Sequence, residues 1–563
     1  MSVRLTGLSS GLDTDSIVSE LVSAYSYKVE SYEKDKTLLE WTGDAWDSLN
    51  SDVYSFYTKQ LGTMRMQSAY TSMTTSVSDE TAASVTASSS AVEGSMSLSI
   101  NNLASSGYLT GGVVGDGDQG YTSSTTLEEM GYTGGDATID VTIGDSTTSI
   151  TLSASSTISD VVSQFKAAGL TASFDTTNQR FFLSSSQSGE DYDFDVTANS
   201  DSEDATAALQ TLGLYYTTEG QNGASDDGTY NYATKVDGED AEITLNGATF
   251  TSSSNVFSVN GLTITAKAET SSALSITTSQ DSESIYDKIK SFLSEYNDLI
   301  NNMTSLYNAD SAKGYEPLTD DEKDAMSDTE IEKWETKIKD ALLRRDGTLN
   351  SLISSLTSAM SASYYINEDG AIRYNSSLGG YTLDGSTLLT LSDGTEVTSS
   401  SQLSSYVSEI NSDDDDTNDF TRYSLSSFGI STLGYISAAD NEQYAYHIDG
   451  DEDDDDTSAN TDKLLTAINS NPDVVKNFFS ALISDVYKTT SNKMASSSVS
   501  SAYTVYNDKQ MDDEMDEIED KIDDWQEKLE ELEDYWYSKF SAMETALASL
   551  QAEQSSLASL LGG

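Results

Sequence analysis

Residues 511–536 read MDDEMDEIEDKIDDWQEKLEELEDYW, and this stretch decides the fold. Its apolar residues recur at alternating spacings of four and three, the heptad pattern of a helix that packs on another helix along one seam. The seam comprises Met511, Met515, Ile518, Ile522, Trp525, Leu529, Leu532 and Trp536. It continues through Phe540, Met543, Leu547, Leu550 and Leu557. Consecutive spacings of four at Trp536 locally unwind a supercoil. A long C-terminal helix is therefore predicted within 506–563, paired with another helix.

The charge of this segment restricts its partner. Fourteen acidic residues lie in 512–534, against only Lys521 and Lys528. Because like charges side by side are costly, a parallel pair of two such helices is disfavoured. The N-terminal segment is a better neighbour, since it carries three lysines: Lys28, Lys34 and Lys36.

Residues 12–64 are predicted to form that partner helix. Asp13 or Asp15 can cap its start, because an aspartate side chain accepts hydrogen bonds from the free N–H groups of the first turn. Its apolar stripe comprises Ile17, Leu21, Tyr25, Val29 and Tyr32, and after a predicted weak point at Gly43 it resumes at Trp46, Leu49, Val53 and Phe56. The first eleven residues show no period and are expected to be mobile in the monomer. Segments 1–45 and 506–563 are thus predicted to form a coiled-coil leg.

Residues 71–280 have a different composition, rich in serine, threonine, glycine and aspartate. Met96, Leu98 and Ile100 alternate with serine, a period of two that is typical of half-buried antiparallel strands. We therefore predict a β-rich head inserted between the helical segments, at the far end of the leg. Its divisions are a head domain formed by 71–114 and 236–280, and a second β-rich subdomain formed by 115–235.

Helical periodicity returns at residue 281. One stripe comprises Ile285, Ile289, Phe292, Tyr296, Leu299 and Met303. A second helix is predicted over about 328–362. A third begins at Asn471-Pro472, because asparagine caps a helix and proline fits its first position. The segments 46–70 and 281–505 are therefore predicted to form a helix-rich middle domain, which makes the fold class α+β and multidomain.

Two acidic runs, Asp413–Asp416 and Asp449–Asp456, lie in a strand-containing acidic insertion predicted at 364–460. Neither run shows the alternating aspartates, the glycine and the downstream bidentate glutamate of a calcium loop. We predict solvated, disordered charge for both.

The overall charge restricts the possible partners. The 563 residues include 94 acidic and 29 basic side chains, a net charge of −65. Nucleic acids bind through Lys and Arg that displace counterions, and anionic membranes attract basic segments, so both are disfavoured. No stretch approaches the ~20 apolar residues of a membrane span. The expected partners are proteins, with no nucleic acid and no membrane insertion.

The sequence contains few of the residue types on which catalytic sites are commonly built. Cysteine is absent and the single histidine is His447, so disulfides, thiolate metal sites and histidine-based nucleophile sets are missing. No catalytic, metal or cofactor-binding residue is predicted, and the chain is expected not to be an enzyme. A secretory signal is also absent from the first residues, so export is expected without a cleaved signal.

Short motifs spread along the chain carry a family resemblance. They are LSSGLDTDSIV at 8–18, VEGSMSLSINNLA at 92–104, NVFSVNGLTI at 255–264, FLSEYNDLI at 292–300, FSAME at 540–544 and SSLASLLG at 555–562. In this order they resemble the flagellar hook-associated protein 2 family, the flagellar filament cap proteins. YEPLT at 315–319 and IEKWE at 331–335 look like the version from Gram-positive relatives.

The resemblance implies a function and a set of partners. Cap proteins of this family form ring-shaped homo-oligomers, often pentamers, which retain exported flagellin at the filament tip and promote its polymerisation. The implied partners are further copies of the chain, flagellin, the hook–filament junction protein and an export chaperone, and the implied location is extracellular, at the flagellum tip. Contacts within the leg, between copies or with the filament are expected from the two stripes: Ile17, Leu21, Tyr25, Val29, Met515, Ile518, Ile522, Trp525, Leu529, Leu532, Trp536, Phe540, Met543, Leu547, Leu550 and Leu557.

Alternative functions remain open from the residues alone. An adhesin or surface-layer protein could also carry a coiled-coil stalk, but it would need a secretory signal or a wall anchor. Flagellin and the hook–filament junction protein pair helical termini around a variable middle, although the motifs quoted above differ from theirs. The Ser/Thr-rich head is also compatible with adhesion as an added role.

Overall fold

A computed structural model describes residues 10–115, 117–202, 204–217, 223–226, 228–367, 372–375, 389–390, 396–397, 402, 405 and 420–561. The chain divides into two compact units, the first formed by Met1–Tyr70 with Ser282–Gly563 and the second by Thr71–Asp281. Long helices dominate the first unit and antiparallel sheets the second. The predicted α+β fold class is confirmed. The acidic run Asp413–Asp416 lies outside the described residues, as do residues 1–9.

Helices form most of the first unit. Helix α1 (Thr14–Ser55) continues directly into a π-helix (Phe56–Leu61) and the short helix α2 (Gly62–Met64). The second unit contains α3 (Ile158–Ala167) and α4 (Ala205–Thr211). The helices of the first unit that follow it are α5 (Ser282–Asn308), α6 (Asp320–Asp324), α7 (Asp328–Lys339), α8 (Gly347–Met360), α9 (Lys463–Ser470), α10 (Pro472–Lys493) and α11 (Asp508–Leu561). Two 3₁₀ turns, Gln67–Tyr70 and Leu425–Phe428, also lie in this unit.

The core of the first unit lies between α5, α8, α10 and the lower part of α1. The stripe predicted on α5 is buried, including Phe292 and Tyr296. Phe56 of the π-helix stacks on Phe292 with ring centroids 5.9 Å apart. Burial of this many apolar side chains, at about 25 cal/mol per Å², is the dominant stabilising term. The C-terminal part of helix α1 is therefore anchored in a packed core.

The predicted start of α10 at Asn471-Pro472 is confirmed, whereas one predicted helix and one predicted cap contact were wrong. The helix expected over 328–362 is two helices, because Arg345 takes a left-handed conformation (φ 58°) and Asp346 then caps α8 by accepting a hydrogen bond from the Leu349 N–H. The Asn471 side chain makes no cap hydrogen bond for α10. Asn471 directly follows α9, and its backbone N–H donates to the Ala467 carbonyl of that helix.

The weak point predicted at Gly43 does not interrupt α1. Glycine in a helix interior costs about 1 kcal/mol relative to alanine, an amount that tertiary packing readily overrides. The packing here comes from Trp46, which is 3% exposed and stacks on Tyr506 with ring centroids 5.4 Å apart.

The first unit also contains short strands. They are β18 (Tyr364–Ile366), β19 (Ile372–Asn375), β20 (Leu389–Thr390), β21 (Glu396–Val397), β22 (Thr421–Tyr423), β23 (Ile430–Ser431) and β24 (His447–Ile448). Strand β18 lies between β19 and β22, and β23 pairs with β24.

The acidic segment 449–456 is folded, contrary to the prediction of disordered charge. Asp451 is 9% exposed and its carboxylate lies 2.6 Å from the Lys290 ammonium on α5. Asp453 forms a second 2.6 Å ion pair with the same lysine. One lysine on a neighbouring helix thus holds the run in place, a pairing that a run of acids in sequence does not reveal.

Antiparallel sheets form the second unit. Its strands are β1 (Met73–Val77), β2 (Ala83–Ala87), β3 (Gly94–Asn102), β4 (Tyr108–Thr110), β5 (Ala137–Ile143), β6 (Ser146–Leu152), β7 (Thr171–Asp175), β8 (Arg180–Ser184), β9 (Phe194–Ala198), β10 (Gly223–Ala224), β11 (Asn231–Tyr232), β12 (Thr234–Val236), β13 (Ala241–Leu245), β14 (Ala248–Ser252), β15 (Val256–Val259), β16 (Leu262–Ala266) and β17 (Leu274–Gln280). A 3₁₀ turn spans Glu190–Tyr192.

Two hydrophobic clusters divide these strands. In the first, a five-stranded sheet of order β1-β17-β3-β13-β14 packs with the sheet β15-β16-β2. In the second, the sheets β12-β4-β8-β7 and β6-β5-β9 enclose a core with α3 and α4. The predicted boundary at 114 would put β4 in the head domain of 71–114 and 236–280, but β4 pairs with β8 and β12 of the second cluster.

A buried ion pair stabilises the second cluster. The Lys235 side chain is 10% exposed, and its ammonium lies 2.8 Å from a carboxylate oxygen of Asp193 and 2.8 Å from one of Asp237. Burial opposes the charged form, but the hydrogen bonds to the two aspartates raise the pKa of Lys235 above its ordinary value. The ammonium therefore remains charged at neutral pH.

Lys235→Met is expected to destabilise the second unit, because it leaves the Asp193 carboxylate without its cation. Breaking a fully buried pair costs about 3–5 kcal/mol, and we expect about 2 kcal/mol here because Asp193 keeps part of its hydration. Hydrogen exchange of β4, β8 and β9 in the full chain measures the effect. The control is Lys166→Met at an exposed position of α3, with an expected change within about 0.5 kcal/mol. Equal exchange in the two variants would contradict a stabilising role for the pair.

Candidate functional site

Helices α1 and α11 pack side by side in opposite directions. Tyr537 donates a hydrogen bond to Asp15 over 3.0 Å, and the Lys36 ammonium lies 2.7 Å from Glu519. As the residue number rises along α1, the number of its partner on α11 falls, so the pair is antiparallel. Both helices are amphipathic, and neither could bury its apolar stripe alone.

The base of the pair is fixed to the helical core. Where α11 begins, Tyr506 stacks on Trp46 and donates a 2.7 Å hydrogen bond to Asp47. The Asn50 side chain accepts a 3.0 Å hydrogen bond from the Val505 N–H. These contacts hold the two helices in one register at the point where they leave the core.

The predicted seam of α11 faces inward over most of its length. Ile522 is the most buried member, 9% exposed. The half-buried members are Met511, Met515, Ile518, Trp525, Leu529, Leu532, Trp536, Phe540, Met543 and Leu547. The intervening acidic positions are almost all exposed.

The inner face of α1 differs from the predicted stripe. Val18 is 1% exposed and Thr14 is 2% exposed, although neither was selected from the sequence. Of the four predicted contact residues, Val29 is buried, Ile17 and Leu21 are half-buried, and Tyr25 is 49% exposed. A stripe through Thr14, Val18, Val22 and Val29 also has helical spacing. It overlaps the predicted stripe, and only the partner helix selects between the two.

The far end of the pair leaves part of the seam uncovered. Leu550 is 61% exposed and Leu557 is 60% exposed. Glu544, a nearby residue of α11 outside the predicted seam, is 8% exposed and accepts hydrogen bonds from the N–H and hydroxyl of Ser10. Beyond that contact, the described part of α11 presents apolar side chains to solvent.

Charge along the pair is mainly acidic, and two of its lysines, Lys36 and Lys528, illustrate how the cations are held. The hydrogen bond from Lys36 to Glu519 raises the pKa of the Lys36 ammonium, so it stays protonated at neutral pH. Lys528 lies over its neighbour Trp525, with the ammonium 5.1 Å from a ring centroid. The exposed acidic side of α11 therefore favours separation of parallel copies and leaves α1 as the compatible helix.

One group with metal-ligand spacing occurs in the described part of the chain: His447, Asp454 and Asp456, with ligand atoms within 4.8 Å of one another. His447 Nδ1 is already 2.7 Å from Asp454. Burial opposes ionisation of Asp454, but the hydrogen bond to His447 lowers its pKa overall. This contact fixes the acidic loop to β24. Among the described helices, none combines the length and apolarity needed to cross a membrane.

The fold and the paired helices define a multidomain α+β protein, in which helical segments precede and follow an inserted β-rich unit along the chain. Family models of this architecture match the chain twice, as the N-terminus of flagellar hook-associated protein 2 over residues 10–107 and as its C-terminus over residues 238–552. The chain belongs to the flagellar hook-associated protein 2 family, as the motifs in the sequence predicted.

Individual relatives are distant. Flagellar hook-associated protein 2 of Halalkalibacterium halodurans is 23% identical over 387 residues, covering 65% of this chain and 70% of the relative. The B-type protein of Pseudomonas aeruginosa is 25% identical over 357 residues, covering 61% and 67%. The crystal structure of the flagellar cap protein FliD D1-D2-D3 domains from Escherichia coli matches with a TM-score of 0.46 at 18% identity, covering 80% of this chain and 95% of that one.

Proposed function

We propose that this chain caps the distal end of the bacterial flagellar filament, where it retains exported flagellin and promotes its polymerisation. The observation that carries the proposal is the antiparallel pair of α1 and α11, anchored in a core at one end and exposing apolar seam residues at the other. A cap needs such a segment, since it must hold the filament end while its other parts leave room for new subunits.

Two groups of residues have different proposed roles within the pair. The buried and half-buried members of the seam, with Ile522 and Val29 at its centre, hold the two helices together. Leu550, Leu557 and Tyr25 are exposed and are the candidates for contact with filament subunits. Contacts made by a few exposed apolar side chains are weak enough to be broken and remade as each flagellin enters.

The proposed partners follow from this location. Further copies of the chain form a ring, often a pentamer in this family. Flagellin and the hook–filament junction protein are met at the filament end, and an export chaperone protects the chain before secretion. The proposed route of export is the flagellar channel, without a cleaved signal. The role is structural and needs no catalytic group.

Removal of the chain from its cells tests the function. We expect cells without it to lack filaments and to release flagellin monomers into the medium, and the full chain supplied in trans to restore filaments. Electron microscopy counts filaments per cell, and immunoblots quantify flagellin in the medium. Normal filaments in cells that lack the chain would refute the proposal.

A further inference from the structure

The outer face of the sheet β12-β4-β8-β7 carries exposed apolar side chains. Alternate residues of these strands, such as Leu109 and Leu183, point into the core and are buried. The residues between them point outward, and three of these are large and apolar. Tyr108 is 52% exposed, Phe182 is 39% exposed and Val236 is 55% exposed.

These three side chains lie on adjacent strands. Tyr108 pairs in register with Val236 on one side and with Ser184 on the other. Phe182, two residues before Ser184 on β8, pairs with Thr110. Side chains directly opposite across a sheet are about 5 Å apart and diagonal ones about 7–8 Å apart, so the three form one patch. We call the outward side of these four strands the Tyr108 face.

The Tyr108 face carries no net formal charge. The other outward residues are Thr110, Thr171, Ser173, Ser184, Thr234, Asp175 and Arg180. Asp175 and Arg180 pair with each other in register at the turn between β7 and β8, so their charges offset each other. The chain has a net charge of −65, whereas this face is neutral and exposes two aromatic rings.

We propose that the Tyr108 face binds a second copy of this chain. A second copy carries the same −65 charge, so most approaches are opposed by repulsion, and close contact is favoured where neither surface adds charge. Uncharged aromatic side chains are typical of the energetic centre of protein interfaces. The acidic side of α11 cannot serve, because its like charges would face each other. The inference rests on the proposed function, since a ring of copies needs such a contact.

Sedimentation of the purified full chain tests the proposal. Phe182→Asp and Tyr108→Asp place a charge on the face, and Phe182→Ser removes the ring without adding charge. We expect each substitution to weaken self-association at least about 30-fold, as for a central interface residue. The matched control is Thr151→Asp, which adds the same charge at an exposed position of the neighbouring sheet β6-β5-β9. We expect it to leave the mass unchanged.

The outcomes separate this inference from the cap function. Unchanged mass in all three Tyr108-face variants overturns it, as does a monomeric wild-type chain. If the variants keep their mass but lose binding to purified flagellin or to oligosaccharides, the face serves that partner and the inference is wrong. Filament growth is scored separately from mass. If cells that lack the chain still grow normal filaments, the cap function is refuted, whatever mass the purified chain has.

Discussion

Ile522→Asp is expected to open the α1–α11 pair and to abolish filament growth. Ile522 is the most buried residue of the α11 seam, and the ion pair between Lys36 and Glu519 places it opposite the turn of α1 that contains Val29 and Tyr32. The substitution removes apolar burial and places a carboxylate in that seam. Together these effects cost about 3 kcal/mol or more, which is a change of over about 100-fold in the opening equilibrium.

Two measurements check this prediction. Hydrogen exchange of the full chain should become faster in α1 and α11, while the strands of the second unit keep their protection. In cells that lack the chain, the variant should leave filament counts near zero and flagellin in the medium. Gln526→Asp adds the same charge at an exposed position of α11 and should behave like the wild type. If the two variants grow filaments equally well, the seam is not needed for capping.

Phe478→Ala is expected to destabilise the first unit by about 3–5 kcal/mol, the usual cost of a large cavity in a packed core. Phe478 is fully buried, and its ring centroid lies 4.8 Å from that of Phe428 and 5.2 Å from that of Phe479. Phe428 lies in the 3₁₀ turn that follows β22. The cavity would therefore loosen contacts between helix α10 and that segment.

Tryptophan fluorescence isolates this effect. All five tryptophans of the chain, Trp41, Trp46, Trp334, Trp525 and Trp536, lie in the first unit. The denaturant midpoint followed by their fluorescence should fall in Phe478→Ala, while Tyr535→Ala, at a position 51% exposed, should leave it nearly unchanged. A midpoint equal to that of the wild type would show that the ring is not a central part of the core.

Periodicity alone revealed much of the helical part. The heptad spacing of α11 specifies one apolar side, and that side faces α1 from Met515 to Leu547. The same spacing continues to Leu550 and Leu557, which are exposed. A repeat along one helix specifies where a partner could pack, but it carries no information about where that partner ends.

The burial and order of single residues were predicted less accurately from the sequence than the helices themselves. Val18 is buried although its neighbour Ile17 was selected, because a helix of 3.6 residues per turn allows two overlapping stripes and only the partner chooses between them. Asp449–Asp456 was expected to be disordered, and Lys290, more than 150 residues earlier in the chain, holds part of it in a fold.

By itself, the sequence determined the fold class, the family and the pairing of the two terminal segments with each other, because these depend on periodicity, charge balance and motif order, all of which can be read along the chain. The tertiary structure decided the register of α1 on α11, the membership of β4 in the second β cluster and the exposure of the Tyr108 face. These depend on pairings between residues far apart in the chain. Packing energy summed over many contacts selects such pairings, and no short stretch of sequence contains all the residues that make them.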